Sequence, residues 1–152
     1  MIDILDRIKL LENLRQLQAD SKPTFGILSA QHMVEHLAFA VRFSNSKEPQ
    51  QHHYATEKEQ KIKAFVIGTD KDMPIGFKSP VLPLEGLPAL KHTNLICAID
   101  YLQTELSDFD NYFIHHPHSK PINPTMGELN YQEWIRFHNR HFTHHFKQFR
   151  LL

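Results

Sequence analysis

The sequence predicts an all-α domain, a four-helix bundle with one extra short helix and a long irregular connection. Three observations carry this expectation. Apolar residues recur every three or four positions through most of the chain. All five glycines and eight of the nine prolines fall between those periodic segments. No stretch reads as a convincing strand; residues 64–67 and 81–84 could extend, but nothing nearby would pair with them. A chain of 152 residues is long enough for a single core and too short for two comfortable ones.

The first helix is expected over about residues 2–18, with Ile4, Ile8, Leu11, Leu14 and Leu17 along one side. The second opens at Ser29, a good N-cap, and carries Met33, Leu37, Ala40 and Val41 on one face. A shorter helix follows from Thr56, which has capping-box spacing to Glu59 ahead of Ile62, Phe65 and Val66. Residues 67–87 hold three prolines and three glycines without a period, and a connection of that length suits a pocket wall or lid as well as plain irregular packing. The next long helix is expected from Pro88 to Phe113, with Leu95, Ile99, Leu102, Leu106, Phe109 and Phe113 as a buried seam. A further irregular stretch, HHPHSKPINPTMGEL, leads to Asn130 and Glu133, a second capping-box pair, and the last helix runs from there to the C-terminus.

Seventeen basic residues balance seventeen acidic ones, so no basic surface for nucleic acid is expected. The opening MIDILDRIKLLENL mixes charges with apolar residues, unlike a secretion signal or a membrane span. With one cysteine, Cys97, an internal disulfide and a thiolate zinc cage are excluded, and a cytoplasmic protein is expected. Histidine is the outlier. Twelve are present, which directs attention to imidazole chemistry.

The last helix concentrates them in EWIRFHNRHFTHHFKQF. At about 100° per residue from Trp134, His141 lies near −20°, His145 near +20°, His138 near +40° and Gln148 near −40°, all roughly. Ile135, Phe142, Phe146 and Phe149 occupy the adjacent arc, roughly 60° to 120°. Imidazoles buried against aromatic rings need partners for their nitrogens, because an unpaired buried polar group costs about 1 to 3 kcal/mol. A divalent ion is one partner; hydrogen-bonded core histidines, or a stripe facing water at the edge of the bundle, are the alternatives.

Two segments carry a family resemblance. HFTHHFKQF, with His141, His144, His145 and Gln148, resembles the C-terminal H-x-x-H-H-x-x-Q motif of the DinB/YfiT-like four-helix proteins, and LSAQHMVEHL resembles their capped helix bearing a lone histidine, here His36. The wider segments PTFGILSAQHMVEHL and GELNYQEWIRFHNRHFTHHFKQF are similar to an uncharacterised DinB-like subfamily. The resemblance implies a divalent metal ion, zinc or nickel, bound by His36, His141 and His145. It further implies metal-dependent thiol transfer, with a low-molecular-weight thiol as a partner, and a homodimer; an open position on such an ion would equally suit hydrolysis, on a small molecule with an apolar part. No nucleic-acid or membrane partner is expected.

Around such an ion His138 is the candidate acid or base, with a hydrogen-bonded core role as its alternative. His32, Trp134, Phe142 and Gln148 are assigned to the substrate pocket, although Trp134 at the centre of the seam also suits the core. Phe142, Phe146 and Phe149 would form its aromatic wall. His32, Glu35 and His36 read H-x-x-E-H, the order of an inverted zinc protease, but Glu35 points about 100° away from His36 and 152 residues leave little room for that catalytic fold. His52, His53, His115, His116 and His118 lie in polar segments and are expected at the surface; His92 is either a buried polar contact or a pocket residue, and His144 a boundary residue. The competing expectation is a non-catalytic binding or dimerisation module with no metal or a structural one.

Overall fold

The computed structural model describes residues 1–76, 83 and 85–152. Among them are five helices: α1 (Arg7–Leu14), α2 (Ala30–Ser44), α3 (Glu57–Gly68), α4 (Leu95–His115) and α5 (Tyr131–Gln148). The chain is mostly helical, as the periodicity predicts. Each N-terminus is sealed by a side chain that accepts from a backbone N–H three residues on: Asp6, Ser29, Thr56, Asn94 and Asn130. Thr56 and Asn130 complete the capping boxes with Glu59 and Glu133. Replacing Asn130 by alanine should cost about 1 kcal/mol of stability, read as a lower urea midpoint at an unchanged m-value.

The first helix is shorter than expected. Ile8, assigned to the inner side, is 76% exposed, whereas Ile4, Leu14 and Leu17 are buried. The cause is tertiary: Ile2 N–H donates to Thr143 Oγ1 at 2.8 Å and Ile4 N–H to Asn139 Oδ1 at 2.7 Å, which ties residues 2–4 to α5 in a non-helical path.

The fourth helix begins at Leu95, not at Pro88. Side chains of α2 have taken the backbone groups that a helix there would use. His32 Nε2–H donates to the Pro88 carbonyl at 2.9 Å, Gln31 Nε2 to the His92 carbonyl at 2.7 Å, and Glu35 accepts from the N–H groups of Lys91 and His92 at 2.9 and 3.0 Å. His92 Nδ1–H also donates to Glu35, at 3.1 Å, so this ring is a half-buried polar contact. Burial pushes the Glu35 carboxyl up, but the hydrogen bonds it accepts from the Gln31 amide, at 3.0 Å, and from Lys91 and His92 hold it below its usual range.

Residues 64–67, which could have extended, are helical within α3; of 81–84, all but Pro83 lie outside the described residues, as does the middle of the 67–87 connection. A small hairpin corrects the expectation of no strand. Ile122–Asn123 (β1) pairs antiparallel with Gly127–Glu128 (β2), and the turn needs Gly127, which has φ of 74°. Its two short strands have no alternating sequence pattern to betray them.

One apolar cluster gathers residues of all five helices, including Leu14, Met33, Leu37, Val66, Leu102, Phe109 and Phe146. The most extensive contact runs between α2 and α4, and α5 lies against α2 and α3. Arg140 of α5 donates to the carbonyls of Phe65 and Thr69 at 2.8 and 2.9 Å and also to that of Val66, fixing the end of α3 on α5. No described helix is long and apolar enough to cross a membrane. His52, His53, His115, His116 and His118 are exposed and His144 is half-buried, as expected.

Candidate metal centre

The packing of α2 against α5 brings His36 to His141 and His145. The His36 and His141 Nε2 atoms lie 3.0 Å apart, those of His141 and His145 3.2 Å apart, and one ligand atom from each ring falls within 4.8 Å of the others. All three side chains are buried. Two nitrogens bound at about 2.0–2.1 Å to one tetrahedral ion stand roughly 3.3 Å apart, close to the two short separations.

Hydrogen bonding settles the tautomer of one ring. The Phe25 carbonyl can only accept, so the Gln148 amide nitrogen faces it, at 2.7 Å, and Gln148 Oε1 faces His145 Nδ1 at 2.8 Å. His145 Nδ1 therefore carries the proton and its Nε2 presents a bare lone pair to the common point. Gln148 is held in turn by residues 24–26: its carbonyl accepts from the Thr24 N–H at 2.8 Å, and Gly26, at φ of 75°, leaves room where a Cβ would come within 3.0 Å of Gln148 Nε2.

That lone pair creates a conflict without a cation. His141 Nε2 touches both neighbours, and a single proton can serve only one of the two contacts well. If His141 donates to His145 it offers no lone pair to His36; if it accepts from His36, two lone pairs face each other at 3.2 Å. The Nδ1 atoms of His36 and His141 are buried with no protein partner, so these two rings have no other polar contact to account for their burial. A divalent ion removes the repulsion and uses all three lone pairs. The donor set therefore fits such an ion.

Electrostatics favours the neutral, ligating form. Burial, helped by the charge of His144, pushes His36 down to about 4. Burial and His36 push His145 down to about 3, and burial with His145 and His36 holds His141 well below its ordinary value. Protons do not compete with a metal for these nitrogens at neutral pH.

The other expected site residues fall elsewhere. His138 is 0% exposed and does not line the cavity described below; Ser44 Oγ gives its proton to the Val41 carbonyl at 2.6 Å, so His138 Nε2–H donates to Ser44 Oγ at 2.9 Å. Burial and the charge of Arg7 push it down to about 3. Its catalytic assignment is corrected to a hydrogen-bonded core histidine. Trp134 and Phe142, also 0% exposed, belong to the core and not to the pocket wall. His32 is bound to Ser29 Oγ at 2.6 Å and to the carbonyl of Pro88, a lining residue, and does not itself line the cavity. Of the four expected pocket residues, Gln148 alone lines it.

The cavity itself is about 840 Å³ and opens beside the three histidines. Its aromatic wall is Phe25, Phe43, Phe65 and Phe137, with Met73 and Met126, and not the expected Phe142, Phe146 and Phe149. Phe137 and His144 lie roughly 60° and 80° to the negative side of Trp134, the opposite flank of the histidine stripe from Phe142 and Phe146. His141 stacks on Phe137 with ring centroids 5.3 Å apart. The helical wheel shows both flanks; only packing tells which one meets the core. Comparison with protein-family models, with curated proteins and with solved structures finds no match for this chain.

Proposed function

We propose that this chain is a DinB/YfiT-like four-helix-bundle enzyme in which His36, His141 and His145 hold a divalent ion, zinc or nickel. Its reaction is thiol transfer or hydrolysis on a small molecule with an apolar part. The observation that carries the reading is the convergence of three buried imidazole nitrogens in the lining of a large cavity. Three protein ligands leave a position open, as catalytic sites do and closed structural sites do not.

When bound, such an ion lowers the pKa of a coordinated water towards neutrality or holds a thiol as thiolate. The chain's own residues do the rest. Gln148 fixes the His145 tautomer and ring orientation. The phenylalanine wall limits water around the histidines and gives the apolar part of a substrate a surface to bury. His138 takes no part in this scheme, because its proton serves Ser44 in the core.

Protein purified without an affinity tag is expected to hold one divalent ion per chain, to lose it to chelator, and to act on a panel of thiols with electrophiles or on small esters only when reloaded. No bound ion, together with a melting temperature unchanged on adding zinc, nickel, manganese or iron, would return the protein to the binding-module reading. Gln148→Ala should weaken metal affinity roughly 10- to 100-fold while leaving the circular dichroism of the fold intact, since it removes the orienting partner of His145 and no ligand.

A further inference from the structure

We propose that the cavity takes a neutral ligand with one metal-binding donor group on a hydrocarbon body, and not a thiol that carries charged or sugar groups. The donor end of this ligand rests on the metal reading above; the hydrocarbon body rests on the cavity wall alone.

The wall decides the class. Leu28, Phe43, Ile62, Phe65, Met126 and Phe137 are among the many apolar side chains that line the cavity together with the three histidines. Two charged side chains, Lys61 and Glu85, are found among the described lining residues; both are exposed, and Lys61 is paired with Glu57 at 2.6 Å. Two of the other polar groups are engaged within the protein. Gln148 uses both ends of its amide, and the Thr125 hydroxyl donates to Asn123 Oδ1 at 2.9 Å. A ligand carboxylate or hydroxyl cluster lying along this wall would lose its water without gaining a partner, at roughly 10-fold or more in affinity for each such group. Each buried methylene instead gains about fourfold. The volume, about 840 Å³, is within the range that encloses a drug-sized molecule.

Among the described lining residues, the strongest partner for a polar atom is the point shared by the three Nε2 atoms. A ligand that matches the cavity is therefore polar at one end and hydrocarbon over the rest, such as a straight-chain alkanethiol.

Zinc-loaded protein titrated with alkanethiols from ethane- to octanethiol should show Kd falling about fourfold per methylene across several members, with reduced glutathione at least tenfold weaker than hexanethiol. Ile62→Asp, at a half-buried wall position on α3, which supplies none of the three histidines, should weaken hexanethiol at least tenfold with zinc affinity unchanged; Ile62→Ser is used if the aspartate lowers the melting temperature. A flat chain-length series, or glutathione binding as tightly as hexanethiol, overturns the proposal. Nile red, a neutral dye, separates the two readings in metal-free protein. Saturable uptake displaced by octanol, in a protein that never binds zinc, keeps the hydrocarbon site and removes the metal; zinc binding with neither chain-length dependence nor dye uptake keeps the metal and removes the hydrocarbon site.

Discussion

His141→Ala is expected to abolish metal-dependent stabilisation of the protein. A divalent ion that binds the folded chain alone should add about 2.7 kcal/mol at a free concentration one hundred times its Kd. For a chain of this length that is a rise of roughly 5–10 °C in melting temperature. His141 is the middle of the three histidines, within 3.2 Å of one neighbour and 3.0 Å of the other, so its loss leaves His36 and His145 without the nitrogen that bridges them. The fall in affinity should exceed that of Gln148→Ala. Metal-free stability should change little, because the alanine also removes a buried ring whose Nδ1 has no partner. His32→Ala is the control: its imidazole is engaged with Ser29 and Pro88, and the metal-induced shift should persist. A shift retained in His141→Ala and lost in His32→Ala would place the ion in the H-x-x-E-H segment instead.

The second large effect is acid lability, beginning well above the pH at which carboxylates titrate. Four buried rings, His36, His138, His141 and His145, have folded-state pKa values below the ordinary 6.5, to about 4 for His36 and about 3 for His138 and His145. Above pH 6.5 these rings are neutral whether the chain is folded or not, and their contribution is fully present. As pH falls below 6.5 the unfolded chain takes up protons that the folded chain refuses, so stability falls with pH until the folded rings titrate. Each ring contributes a slope of about 1.4 kcal/mol per pH unit. Against a total of roughly 5–15 kcal/mol, four such slopes should unfold metal-free protein before pH 4. Urea midpoints measured from pH 7.5 to 4.5 should fall throughout, His138→Phe should reduce the slope by one proton, and bound metal should move the transition to lower pH. A midpoint constant down to pH 5 would show that these rings exchange protons freely in the folded state.

The same histidines show how far one chain can be read in one dimension. Caps at Ser29, Thr56 and Asn130, and the seam from Leu95 to Phe113, are written locally, and each stands where the periodicity puts it. The resemblance of two short segments brought His36 together with His141 and His145, and these three do meet. The start of α4 was not legible, because it depends on Gln31, His32 and Glu35 capturing residues 88–92 from a helix more than fifty positions away.

What the sequence determined by itself is the set of helices and the stripe that carries the imidazoles, since both follow from residue spacing along a single rod. Which flank of that stripe became core and which became cavity was decided by packing. His138, about 60° round from His141, fell on the side facing Ser44 and Trp134, whereas His141 and His145 reached the opening beside Phe137. The physical reason is that a helix fixes the angle between its side chains but not its rotation against its neighbours, and only contacts between distant segments set that rotation.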